Sequence, residues 1–193
     1  LKKNNIVLSF GHKRQRGKDT CCDYLVNKYG FTKLSFAAPL KNGIGKGVFG
    51  LSDEQLHGKL KSEIDPYWEM TPRYILQQAG TEAMRNTFGE DIWCKTLGRT
   101  IYNSENRLFC ISDMRFRSEL NYIKKEFVNS TSVVIHRYDI PFDKDIDNHK
   151  SEIDLDGYYY FNYFIYNVKD FDYLYGQLDA LMIAINFKGS VDG

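Results

Sequence analysis

The stretch "IVLSFGHKRQRGKDTCCDYL", Ile6 to Leu25, decides the fold. It reads as strand, glycine loop, lysine, helix. Ile6–Phe10 is a short apolar run before Gly11, as expected of a buried parallel strand. From Lys18 to Lys28 the apolar positions Cys22, Leu25 and Val26 suit one helical face. A phosphate cradle needs glycines whose backbone N–H groups curl around an anion, a helix N-terminus behind them, and a Lys. All three occur here in that order. A helix start disfavours a cation, so Lys18 asks for an anion to explain it. The strict pattern G-x-x-x-x-G-K-[ST] is nevertheless broken twice. Five residues separate Gly11 from Gly17, and Asp19 follows Lys18 where Ser or Thr should stand. A loop that starts at His12, or a small bulge, absorbs the extra residue. The usual hydroxyl binds Mg²⁺. Asp19 could hold that metal directly or through water, with Thr20 on a phosphate. The competing reading is a basic surface turn.

The bulk numbers bound the rest. The chain has 193 residues, 42% hydrophobic and 15% aromatic, enough for one domain with a full core and against disorder over most of its length. A net charge of +1 offers no global field for nucleic acid or membrane. Lys13, Arg14, Arg16 and Lys18 form a local basic cluster inside the glycine loop. Cys21, Cys22, Cys94 and Cys110 have neither zinc nor C-x-x-C spacing and read as reduced buried thiols of a cytoplasmic-type protein. No segment approaches the roughly 20 apolar residues of a membrane span.

Further strands are expected at "TKLSFA", "RLFCISD", "TSVVIHRYD" and "YYYFNYFIYN". Helices are expected after Pro39, from Ser52, from Thr71-Pro72, over Asp91–Ile101, Ser118–Phe127 and Phe171–Ile185. Gly80 interrupts the helix begun at Pro72. Residues 139–158 lack periodicity and carry mostly acidic charge. Strands alternating with helices predict an α/β fold, a parallel sheet covered on both faces.

Together "GKDT", "LSFAAPLK", "TPRYILQQAGTEAMRNTFGEDIW", "ISDMRFRSEL", "HKSE" and "FIYN" resemble the deoxynucleoside monophosphate kinases of phages and large DNA viruses. The resemblance covers most of residues 5–182. Its most specific piece runs from Arg73 to Arg85, with Trp93 beyond. "GHKRQRGKD" and "ISDMR" also resemble phosphomevalonate kinase, a relative with the same core. The resemblance implies one three-layer P-loop domain over 1–193, with five parallel strands in the order 2-3-1-4-5. It implies a helical acceptor-binding insert at 42–103 and a lid-like segment at 139–158. ATP is the implied donor, Mg²⁺ the cofactor, and a deoxynucleoside 5′-monophosphate the acceptor. The implied location is the cytoplasm, that of the host if the source is viral. No stable nucleic-acid or membrane binding is expected; a homodimer stays open. The rivals are a phosphomevalonate-type kinase and a non-catalytic nucleotide-binding module.

Candidate residues follow. Gly11, His12, Lys13, Arg16, Gly17, Lys18, Asp19 and Thr20 are assigned to ATP, with Arg137 and Asn167. Asp113 falls at the carboxyl edge of the sheet, where ligands bind, and serves as metal ligand with Asp19 and Thr20, or as a helix N-cap. Arg115 and Arg117 can clamp phosphate. Lys18, Arg115 and Asp113 form the catalytic set, and Arg117 goes to the acceptor. Lys41, Arg73, Gln77, Gln78, Arg85 and Trp93 complete the acceptor set. Arg73 and Arg85 lie about three and a third turns apart and need not share a face unless Gly80 breaks the helix. Gln77 or Gln78 can read a base edge. Trp93 stacks on the base or is a core side chain. Asn167 is placed near the adenine or ribose, or simply ends a strand.

Overall fold

The computed structural model describes residues 4–141, 143, 144, 148, 150–158 and 160–187. Among the described residues five strands are formed: β1 (Ile6–Gly11), β2 (Thr32–Leu34), β3 (Leu108–Met114), β4 (Asn129–His136) and β5 (Tyr163–Tyr166). Every pairing is parallel, and the order is β2-β3-β1-β4-β5. This is the expected 2-3-1-4-5 sheet. Central β1 is apolar because it has a neighbour on each edge and cover on each face. Val7, Leu8 and Phe10 are fully buried.

The chain divides into two compact units, Leu1–Ser35 with Thr100–Gly193, and Phe36–Arg99. The first holds the sheet. Its helices α1 (Lys18–Tyr29) and, late in the chain, Phe171–Ala184 pack Cys21, Cys22, Leu25, Leu174 and Leu178 against Leu8, Phe10 and Ile165. Helix α1 stops at Gly30, whose left-handed φ of 71° lets its N–H reach back to Val26 O at 3.1 Å. The cysteines are free and buried. Burial pushes the Cys21 thiol up to about 12, so it is unreactive.

The second unit is helical. Ser52 caps α2 (Asp53–His57) with a capping box. Thr71 caps α3 (Pro72–Gln77) by accepting from Tyr74 N at 3.1 Å, with Pro72 in the first turn. The helix does not break at Gly80. It continues through Gln78–Arg85 in wide π turns, followed by α4 (Asn86–Phe88) and α5 (Ile92–Asn103). A Cβ at Gly80 would lie 2.7 Å from the end of the Leu40 side chain, which would have to shift. Leu51, Leu56, Ile75 and Leu76 form this unit's own core.

After β3 comes α6 (Arg117–Glu126), and after β4 a short α7 (Lys150–Ile153). Residues 142, 145–147, 149 and 159 of the expected lid and fifth-strand stretches lie outside the described residues. The closing helix Phe171–Ala184 is α8. Of the described residues in the aromatic run at 158–167, four form β5. Asn162 ends the extended pairing by wrapping Ser132, whose N–H donates to Asn162 Oδ1 at 3.0 Å and whose hydroxyl donates to the same atom at 2.8 Å. Tyr158 turns instead to Asn121, donating to Oδ1 at 2.8 Å.

Candidate functional site

β1 leads into the loop 12–17, and α1 begins at Lys18. Gly17 adopts φ +100°, a left-handed value that strains any side-chain-bearing residue. A Cβ there would also lie 2.6 Å from Asn167 Nδ2. Asn167, just past β5, donates that amide to Arg16 O at 3.0 Å. The loop is thus pinned from the end of the sheet.

Lys18 is only 6% exposed. Its ammonium donates to Lys13 O and reaches His12 O at 3.5 Å. Burial, then the charges of Arg115 and Arg16, pull its pKa down to about 7, against Asp19 and Asp113, which raise it. A cation this dehydrated, at the positive end of a helix, is set up to gain from an anion.

Asp19 is exposed and ion-paired with Lys33 Nζ at 2.8 Å. Partial dehydration pushes its carboxyl up, but hydrogen bonds from Lys33 and Ser112 hold it below the ordinary range. Lys33 also reaches Asp23 at 2.9 Å. Asp113 accepts from Ser35 Oγ at 2.7 Å, one residue before β3 ends. Arg115 donates its guanidinium to Glu152 Oε1 and its backbone N–H to Glu119 Oε2, the latter at 2.8 Å. Glu119 takes Phe116 N at 3.1 Å as well, and so caps the start of α6.

Arg117, Arg137 and Lys13 of this unit are also engaged. Arg117 donates to Asp154 O at 2.6 Å and Asp156 O at 3.2 Å, and lies 5.0 Å over the Tyr158 ring. Arg137 forks onto Asp139 at 2.7 and 2.9 Å. Lys13 Nζ pairs with Asp156 Oδ2 at 3.0 Å. His12 Nε2 sits 3.0 Å from Asp156 Oδ1, close in distance but not aligned as a hydrogen bond. Burial drives the His12 imidazole down to about 4. Around the loop, then, the fold gathers Gly17, Lys18, Asp19, Asp113, Arg115 and Asn167.

In the helical unit Arg73 Nε donates to Ser62 Oγ at 3.3 Å, and Arg85 Nη1 to Glu90 O at 3.3 Å. Lys41 Nζ lies 3.3 Å from His57 Nδ1. Gln77 is exposed, whereas Gln78 is half-buried and lines a groove of about 560 Å³ with Ile44, Met70, Tyr74 and Met84. Trp93 is 7% exposed and its indole N–H donates to Gly80 O at 3.1 Å. It packs as a core side chain, the alternative weighed for it from the sequence.

Sequence reasoning missed Glu152, Asp156, Lys33 and Glu119. The signals for the first two were the acidic excess of 139–158 and, for Glu152, its place in "HKSE", one of the stretches that carry the resemblance. Among the described residues no group of three or more His, Cys, Asp or Glu could hold a metal alone. That does not exclude Mg²⁺, which typically takes one or two carboxylates and completes its shell with phosphate and water. Asp19 and Asp113 both act electrostatically on Lys18, so two carboxylates stand by the loop lysine and fit that demand. Among the described residues no helix is long and apolar enough to cross a membrane.

A glycine loop and buried lysine between the central strand and first helix of a 2-3-1-4-5 parallel sheet define a P-loop kinase fold. Shikimate kinase from Bacteroides thetaiotaomicron shares it, with a TM-score of 0.53 at 8% identity over 94% of this chain and 98% of that one. No protein-family profile matches the chain. A protein of Acanthamoeba polyphaga mimivirus, named "Putative deoxynucleotide monophosphate kinase", is 32% identical over 178 residues, 84% of this chain and 88% of that protein. The chain belongs to that deoxynucleotide monophosphate kinase family.

Proposed function

We propose that the protein transfers the γ-phosphoryl group of ATP to a deoxynucleoside 5′-monophosphate. An oxygen of the acceptor phosphate attacks the γ-phosphorus, the bond to the ADP oxygen breaks, and a deoxynucleoside diphosphate and ADP leave. The observation that carries this reading is Lys18, a nearly buried ammonium behind Gly17 at the start of α1. Positioning and charge stabilisation supply the catalysis, with no covalent intermediate. In this reading His12, Lys13, Arg16, Gly17, Lys18 and Thr20 cradle the donor phosphates, Gly11 only ends the strand that leads into them, and Arg137 and Asn167 flank the nucleoside. Arg115 joins Lys18 on the transferring group. Asp19, Thr20 and Asp113 would hold Mg²⁺, which when bound neutralises phosphate charge.

The insert 42–103 binds the acceptor. Arg73 takes its phosphate, with Arg85, Lys41 and Arg117 adding positive charge. Gln78, with Gln77 beside it, reads the base edge. Trp93 supports the helix that carries them through its bond to Gly80 O. Residues 139–158 form the lid. Preference for deoxy over ribo substrates arises where an apolar wall would leave a 2′-hydroxyl unpaired. Such exclusion is modest, on the order of a hundredfold.

ADP formation measured with a panel of deoxy- and ribonucleoside monophosphates tests the reading. Turnover with one or more deoxynucleotides is expected. Equal use of ribonucleotides would remove the deoxy assignment alone. Turnover of mevalonate phosphate with none of any nucleotide would replace the acceptor class. No acceptor-dependent turnover at all would leave a binding module.

A further inference from the structure

Two acids of residues 150–158, Glu152 and Asp156, lie on the phosphate loop itself. Glu152, on α7, is 3% exposed. One of its oxygens accepts from Arg14 N at 2.7 Å, and the other is bonded by the Arg115 guanidinium. Asp156 takes Lys13 Nζ at 3.0 Å and stands 3.0 Å from His12 Nε2. Asp154 accepts from Arg117 N at 2.8 Å. Loop N–H groups, guanidinium and ammonium are the donors that hold a phosphate. Here carboxylates already occupy them. A lid that served only to clamp phosphate would bring cations, yet this segment brings anions.

We propose that Glu152 and Asp156 form an anionic latch on the phosphate loop, which an incoming polyphosphate must displace. The proposal rests on reading the loop as the donor site. The two anions cannot share Arg115, Lys13 and the Arg14 amide, so binding is paired with release of 150–158. Affinity is then reduced by the fraction of molecules that are unlatched. The same segment becomes available to close over the nucleotide only after it has let go of the loop.

The test compares wild type with Glu152→Gln and Asp156→Asn. Asp156 is half-exposed, so its variant keeps the test alive if loss of the buried Glu152 charge impairs folding. Tripolyphosphate and ATP affinities are read by calorimetry, and protection of the 150–158 amides by hydrogen exchange. Both variants should bind each polyphosphate more tightly, by about tenfold where one ion pair of roughly 1.4 kcal/mol is lost from the latched state. Without ligand, both should lose protection at 150–158, and wild type should lose it on adding tripolyphosphate. Weaker or unchanged binding by the variants would mean that the carboxylates only position Arg115 and the loop, and would overturn the latch. So would protection that tripolyphosphate leaves unchanged. If wild type binds ATP and the variants bind it no better, the latch alone fails. If neither wild type nor variants bind any polyphosphate, the donor-site reading fails with it.

Discussion

Lys18 should take up a proton when a polyphosphate binds. In the free protein, burial and then Arg115 bring its pKa down to about 7. An opposite charge within about 4–6 Å favours the charged form. A triphosphate against Lys18 should therefore return it toward the ordinary value of about 10.4. The sign follows directly. Above pH 7 the free protein has mostly lost this proton and the complex has kept it. At pH 8 a group titrating near 7 is about one-tenth protonated, so binding draws in about 0.9 proton. At pH 6 it is about nine-tenths protonated, and uptake there falls to about 0.1. Affinity should accordingly weaken by up to tenfold per pH unit above 7. His12, driven to about 4 in the free protein, is neutral at pH 8 even if binding restores its ordinary value of about 6.5. Calorimetry of tripolyphosphate at pH 8 in buffers of different ionisation enthalpy counts the protons from the slope of apparent enthalpy. The proton count should be higher in wild type than in Lys18→Met by about 0.9, the ionisation of the tripolyphosphate being common to both. An equal count in the two proteins would refute the argument.

Gly17→Ala combines a strained φ of +100° with a contact at 2.6 Å from Asn167, so it should cost about 1–3 kcal/mol and strip ATP binding; pairing it with Asn167→Gly should restore stability only in part, read as Tm. If Asp19 holds Mg²⁺, Asp19→Asn should raise the Mg²⁺ needed for half-maximal rate more than Thr20→Val does, and the reverse order would make Thr20 the metal residue. Arg73→Ala removes a charged donor from the acceptor phosphate and should cut kcat/KM for the monophosphate by about ten- to a hundredfold while ATP affinity, measured directly, stays put. A loss confined to ATP binding would move Arg73 out of the acceptor site.

The parts of the fold written in local patterns were legible. Ile6–Leu25 announced β1, the loop and α1, and Thr71-Pro72 announced the capped start of α3. Alternating strand and helix signals were enough for the sheet class, and the resemblance supplied its order. What escaped depends on distant partners. Glu152 meets Arg14 across 138 positions and Arg115 across 37, and nothing around Glu152 in the chain encodes either contact. β5 was overcalled because tyrosines have high strand propensity wherever they stand. Tyr158 and Asn162 spend their polar groups on Asn121 and Ser132 instead. Trp93 was ambiguous for the same reason, since only the acceptor at Gly80 O decides between a buried and a stacking indole.

The misfit in glycine spacing has a physical resolution. Gly11 is the last residue of β1 and is paired on both sides, with Met114 of β3 and Val134 of β4. Its φ is not in the left-handed region; a Cβ would come within 3.1–3.2 Å of Phe161 and Met114. It is a glycine of close packing, not a glycine of the turn. The left-handed positions of the loop are Gln15 and Gly17. Counting residues between Gly11 and Gly17 therefore measures from a strand residue, not from the loop. The register against β4 runs unbroken to Gly11, but against β3 it slips between Ser9 and Gly11, where two steps on β1 face three on β3. A bulge re-aims the side chains beside it. The extra residue on β3 is Ser112 or Asp113, between the paired Ile111 and Met114, in the stretch that carries Asp113 toward Ser35 Oγ at 2.7 Å. The irregularity thus belongs to the strand that presents the acidic group, while the loop keeps a left-handed Gly17 directly before Lys18.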